Sequence, residues 1–345
     1  MFEKIRSAVI FSTLLTIGSS VVAHARTDDA ASAIPALLEP FVENERPAMG
    51  DYRWMRGDFP EASEQDVRVS QAAMSYDAEC YERHRAEVVA ELRSMGIEPV
   101  EKSASSIVYE CSAFNRMKVA EGTTWAQFQD ALATVRPLVS GIVYASDYAL
   151  RSSNDDDAYL PGSLRIRFVA DQMVRGALIA AFRRTEIFAG LDELQQSIAV
   201  DMLSQQMAKA DAANSEFLKG LIASGAWPKI SVVGEEAAHD AWLLTQHADA
   251  DPALQLAALR RMEALLDNQE VSAKDYAYLY DRVMLKIAGK QRYATQFECR
   301  EGSRVPQTLE STIDSADRYR ATAGMETVAQ NLARMEDSYG ACSQA

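Results

Sequence analysis

From Leu164 onward, apolar residues recur at spacings of three and four in nearly every segment, at about 164–183, 190–223, 235–248, 253–268, 272–288 and 325–338. That period belongs to helices that each bury one face, and it excludes a sheet-based architecture for this part of the chain. Several ends carry their own signals. Ser272 with Asp275 reads as a capping box, Gly289 as a C-terminal stop and Pro252 as a first-turn residue. Only Arg292 to Cys299 reads as extended, and no repeat of fixed period points to a solenoid.

The first half is shorter in signal. Ala73, Cys80, Tyr81, His84, Val88, Leu92 and Met95 form the apolar stripe of a long helix from Glu64 to Met95. Ser106 to Ala113 alternates as a strand, and Trp125 to Leu150 returns to helical spacing. Between the halves, residues 151–162 collect turn formers and the run Asp155, Asp156, Asp157. A calcium loop needs glycine at its sixth position, where this chain has Leu160, so the run reads as a solvated linker. The expected fold class is mainly α with a minor β component: an α+β region over 26–150, a linker over 151–162 and a helical domain over 163–345.

Residues 1–25 read as a secretory signal, with Lys4 and Arg6 as a basic start, Ala8 to Ile17 as the apolar stretch and Ala23-His24-Ala25 as the cleavage site. The apolar stretch is about half the roughly 20 residues that span a bilayer. The expected mature protein is therefore periplasmic or secreted, with no integral membrane segment. Its formal charge of −15 becomes −16 once Glu3, Lys4 and Arg6 leave with the signal. A chain so acidic, without clustered Lys and Arg, is a poor partner for nucleic acid. Export gives the four cysteines an oxidising compartment. Cys80 and Cys111 lie in one half and Cys299 and Cys342 in the other, so pairing within each half is expected. No C-x-x-C redox or zinc motif occurs.

Against the helical background stand polar residues in runs that otherwise look buried: Gln246-His247-Ala248-Asp249, Tyr278-Leu279-Tyr280-Asp281-Arg282, and Gly289 to Gln296. Buried polar groups need partners, so these residues form either a fixed network or a site. Asp281 and Arg282 point about 100° apart on a helix and each requires its own partner. His247, Asp249 and Asp251 offer metal donors, but no second His stands at i+4, and neither a metal nor a cofactor is assigned.

These blocks resemble a secreted bacterial family of unknown function. Its members carry Gly-Trp-Pro, Val-Gly, Gln-His-Ala-Asp, Tyr-x-Leu-x-Asp-Arg and Gly-x-x-Gln-x-Tyr-Gly-Thr-Gln in this order. Here the same order is Trp227-Pro228, Val233-Gly234, Gln246 to Asp249, Tyr278 to Arg282 and Gly289 to Gln296, with Asp211 and Asn214 similar to the preceding helix. The resemblance covers about 205–335 and implies no reaction. Ala226 and Ala294 stand where that family has glycine, and an alanine at a position of positive φ would be strained.

Three readings follow. In the first, His247, Asp281, Arg282, Gln291 and Gln296 converge in one structural network that locks the helices. In the second, Gln246, Gln291, Thr295 and Gln296 line a hydrolase-like or small-ligand site. His247 is then the acid or base, Asp249 or Asp281 orients it, and Arg282 holds an anion. In the third, the protein is a periplasmic interaction module that contacts an envelope protein.

Overall fold

The computed structural model describes residues 34–43, 46–100, 108–112, 114, 116–153, 160–340 and 342. Residues 1–25, expected as a signal with cleavage after Ala25, and the run Asp155 to Asp157 lie outside them. Near the start, β1 (Val42–Glu43) pairs antiparallel with β2 (Arg46–Pro47). Then α1 (Glu64–Ser94) begins where the Ser63 hydroxyl accepts from the Asp66 amide and the Asp66 carboxylate accepts from the Ser63 amide, a complete capping box. It buries Ala73, Tyr76, Cys80, Val88 and Leu92 along one stripe.

Within the segment expected as a strand, the described residues Tyr109–Ser112 form a helical turn instead, α2. Val108, Cys111 and Phe114 are all buried, at a spacing of three. Helical geometry is rewarded from outside the segment. The Cys80–Cys111 disulfide, with Cα atoms 5.6 Å apart, ties the turn to α1, and the Phe114 ring meets Trp54 at 5.5 Å and Tyr76 at 5.6 Å.

Three long helices follow: α3 (Trp125–Ser152), α4 (Leu160–Arg183) and α5 (Glu193–Ala223), each packed on the other two. The short α6 (Ile230–Val233) ends at Gly234, whose φ of 84° lets α7 (Glu235–His247) start in a new direction. The Asp251 carboxylate caps α8 (Pro252–Glu263), Ser272 caps α9 (Ala273–Ala288), and Gly289 with φ 68° stops α9. A large core gathers Trp242, Leu244, Leu254, Leu259, Leu279 and Val283 from α7, α8 and α9, with Trp227 ahead of α6, Leu92 of α1 and Leu164 of α4 against them.

Beyond α9 the expected extended segment supplies β3 (Phe297–Arg300), which pairs antiparallel with β4 (Ser303–Pro306) in the register Phe297↔Pro306 and Cys299↔Arg304. Two helices close the described chain, α10 (Ile313–Thr322) and α11 (Val328–Tyr339), and the Cys299–Cys342 disulfide, with Cα atoms 5.8 Å apart, fastens the far end to β3. The fold class is thus mainly α with a minor β component, and Pro35–Ala345 form one compact unit.

Candidate functional site

The loop from Ala248 to Asp251 joins α7 to α8 and is clamped from several elements. Arg282 and Lys286, one turn apart on α9, both reach Asp249: Arg282 through Nε at 2.8 Å and through Nη2, Lys286 through Nζ at 2.6 Å. Burial alone would raise the Asp249 carboxyl, but the two cations hold it well below the usual carboxylate range. Burial meanwhile draws Lys286 down. Lys286 also donates to the Asp249 carbonyl at 3.1 Å and to Gln255 Oε1 at 3.0 Å. Gln255 Nε2 donates to the carbonyls of Thr245 and Gln246, both at 3.1 Å. The Gln246 side-chain oxygen is buried with no hydrogen-bond donor among the described residues. Next in the loop, the Ala250 carbonyl meets His84 Nε2 at 2.7 Å, and Asp251 takes Lys219 Nζ at 2.7 Å.

On the other side of α9, Asp281 is fully buried and faces the turn 292–295. Its oxygens accept from the amides of Arg292 (2.8 Å), Tyr293 (2.9 Å) and Thr295 (2.9 Å). Converging backbone amides of this kind form an anion nest, and within it Ala294 takes a left-handed φ of 51°. Burial pushes the Asp281 carboxyl up while these amides pull it down. Gln291 pins the same turn. Its Nε2 donates to the Gln296 and Gln307 carbonyls at 2.8 and 3.0 Å, and its Oε1 accepts from the Gln296 amide at 2.9 Å. Gln296 Nε2 donates to the Thr295 hydroxyl at 3.1 Å. Arg320 of α10 then closes the turn through the Tyr293 and Ala294 carbonyls at 2.9 and 3.3 Å.

His247 joins neither set. Its Nδ1 donates to Asp171 of α4 at 2.9 and 3.1 Å, so Asp171, rather than Asp249 or Asp281, orients the imidazole. Asp171 is 1% exposed and also accepts from Arg175 Nε at 2.9 Å and Gln172 Nε2 at 2.8 Å. Burial raises this carboxyl, and His247 and Arg175 overcome that and leave it below its ordinary range. Arg175 Nη2 continues to Asp211 of α5 at 2.5 Å. Burial pushes the Asp211 carboxyl up to about 7, with Arg175 opposing and Asp171 and Asp249 reinforcing the rise. The His247 side chain keeps 15% exposure, Arg175 22% and Asp211 19%, so the chain of contacts opens at the surface. Among the described residues no hydrogen bond engages His247 Nε2.

The sequence-derived candidates therefore separate into three sets: Asp249 with Arg282; Asp281 with Gln291, Thr295 and Gln296; and His247 alone. Sequence reasoning missed Asp171, Arg175, Gln255 and Lys286. One signal for the first two existed. Arg167, Asp171 and Arg175 recur every fourth residue along α4, a charged stripe inside an otherwise apolar-period helix.

No group of three or more His, Cys, Asp or Glu side chains among the described residues is arranged to hold a metal ion. No curated protein and no solved structure matches the chain. Residues 178–344 match a family of unknown function (DUF6624), so that α5 through α11 and the polar sets except His84, Asp171, Gln172 and Arg175 fall within the matched region.

Proposed function

We propose that this is an exported protein in which the Asp249 and Asp281 sets hold the helices together, while His247 with Asp171 forms an acid–base site for a small polar ligand. The observation that carries the second part is the division of the imidazole. Nδ1 is fixed on a buried carboxylate, and among the described residues no hydrogen bond engages Nε2, beside a partly exposed group of charges. A carboxylate on Nδ1 fixes that nitrogen as the protonated one and leaves the lone pair on Nε2. Such a nitrogen takes a proton from a bound hydroxyl or water, and Asp171 stabilises the imidazolium formed. Arg282 keeps 26% of its side chain exposed and is the candidate contact for an anionic group of the ligand.

The structural reading of the other two sets rests on their saturation. Asp281 accepts three backbone amides, and both cations at Asp249 are engaged. Export is supported by the basic, apolar and Ala-x-Ala order of residues 1–25, by two cysteine pairs at disulfide distance, and by the lack of any described helix long and apolar enough to cross a membrane.

Carbethoxylation of the folded protein with diethyl pyrocarbonate, followed by peptide mapping, tests the site. The expected result is an adduct on His247 that Asp171→Asn slows several-fold, with p-nitrophenyl ester turnover lost in His247→Gln at unchanged melting temperature. A His247 protected in the folded protein, or turnover equal in wild type and His247→Gln, overturns the acid–base reading.

A further inference from the structure

Val169 and Ile179 of α4 are 51% and 52% exposed, and with Gln172 and Gly176 they form one stripe at helical spacing. Arg165 precedes the stripe and Arg183 follows it, both exposed. Phe182, 60% exposed, and Ile187, 56% exposed in the turn Glu186–Phe188, border its far end. The four apolar side chains leave roughly 400 Å² open to solvent, a patch of the size that marks an interaction site on a monomer. Gln172, Gly176 and the stems of the two arginines extend it toward the about 800 Å² that each partner of a stable pair buries.

Between Phe168 and Phe182 the charged residues are Asp171 and Arg175, and both are engaged inside the protein, with His247 and Asp211. In a chain of net charge −15, such a stretch can meet a second copy without acid facing acid. Gly176 is not required by packing within one chain. A Cβ placed there meets nothing within 4 Å, and glycine inside a helix costs about 1 kcal/mol relative to alanine. What it permits is the close approach of another backbone.

The order along α4 is that of a two-fold contact. About a point midway between Gln172 and Gly176, Val169 mirrors Ile179 and Arg165 mirrors Arg183. An antiparallel second α4 therefore sets Val169 of each copy on Ile179 of the other, with Gly176 at the crossing. The two ends differ in charge. Arg165 meets Glu236 at 2.8 Å and Asp240 at 3.1 Å, which leaves one negative charge in excess, whereas Arg183 and Arg184 with Glu186 leave one positive. Antiparallel crossing joins these opposite ends and brings Arg183 of each copy to Glu236 of the other, whose side chain is 74% exposed.

We propose that the outer face of α4 is an interface between two copies of this chain, crossing antiparallel at Gly176. The inference does not depend on the role of His247.

Sedimentation velocity of the disulfide-bonded protein from about 1 to 100 μM is the test. A reversible dimer is expected within that range. Gly176→Leu and Val169→Glu, both at positions open to solvent, are each expected to keep the helical circular dichroism of the wild type and to raise the dissociation constant at least about tenfold. Arg183→Glu is expected to weaken the dimer similarly, and the exchange Arg183→Glu/Glu236→Arg to restore it to within about threefold of wild type. A protein that is monomeric throughout, or a dimer indifferent to Gly176→Leu and Val169→Glu, overturns the proposal. An exchange that restores nothing overturns the antiparallel crossing.

Discussion

Asp281 and Arg282 are neighbours in sequence with unrelated tasks. On a helix they diverge by about 100°, and the structure gives Asp281 the amides of the turn 292–295 and Arg282 the carboxylate of Asp249. Asp281→Asn replaces one acceptor oxygen by an amide donor facing amide donors, in a fully buried position. The expected cost is about 2–4 kcal/mol. Arg282→Gln leaves Lys286 on Asp249 at a partly exposed position, and its expected cost is smaller, about 1–2 kcal/mol. Because the two share no partner, the double variant is expected to lose the sum of the single losses within about 0.5 kcal/mol. Denaturant titrations of the four proteins measure this. A coupling of more than about 1 kcal/mol would mean that both residues act through one network after all.

At the scale of elements, the turn 292–295 shows what a backbone needs from its side chains. Ala294 occupies the left-handed region at φ 51° and is fully buried against Ala316 and Val328. The left-handed conformation costs an alanine about 1–2 kcal/mol. Ala294→Gly relieves that cost but loses a buried methyl, worth about 0.8 kcal/mol, and makes the unfolded chain more flexible. The expected net change in stability is therefore within about 1 kcal/mol, whereas Ala294→Val, branched at Cβ in a closed space, is expected to cost more than about 2 kcal/mol. Thermal melts of both variants separate these outcomes. The elements themselves were legible to different degrees. The long helices announced themselves by stripe and cap, as with Ser272 and Gly289 for α9. α2 is too short to show a period, and what makes it helical is remote: Cys80 and the rings of Trp54 and Tyr76. α10 was missed because its buried residues are Ala316 and Arg320 while Ile313 and Tyr319 face outward, so no apolar stripe exists. The site behaved alike. The need for separate partners at Asp281 and Arg282 could be read locally, but the partner of His247 lies 76 residues away on α4. The two disulfides matched their grouping by halves, and each closes a loop of 31 or 43 residues. Cys80→Ala/Cys111→Ala is expected to lose about 3–4 kcal/mol of stability in equilibrium unfolding.

Over the whole molecule the acidic balance has a counterpart inside. Burial pushes Asp77 and Asp201 up to about 6 and Asp211 up to about 7. A carboxyl raised on folding binds its proton more tightly in the folded state than in the unfolded chain, where its value is about 3.9. Between those values the folded state holds protons that the unfolded state has released, so stability falls as pH rises. The contribution is complete below about pH 4 and is lost as pH passes through 6 to 7. Asp171 and Asp249, held low, act in the opposite sense, but their contribution changes only below the unfolded value and is constant across this window. The protein is therefore expected to melt higher at pH 5 than at pH 7.5, where a molecule governed by paired carboxylates would change little. Asp201 isolates the effect. The Tyr52 hydroxyl at 2.6 Å and Gln205 Nε2 at 2.7 Å both donate to the same oxygen, Oδ2, which the carbonyl of an asparagine reproduces. Asp201→Asn keeps both hydrogen bonds and removes the ionisation. It is expected to match wild type at pH 4.5 and to exceed it by about 1–2 kcal/mol at pH 7.5. Denaturant midpoints across that range read the difference directly, and an Asp201→Asn curve parallel to wild type would show that Asp201 does not titrate on unfolding in this window.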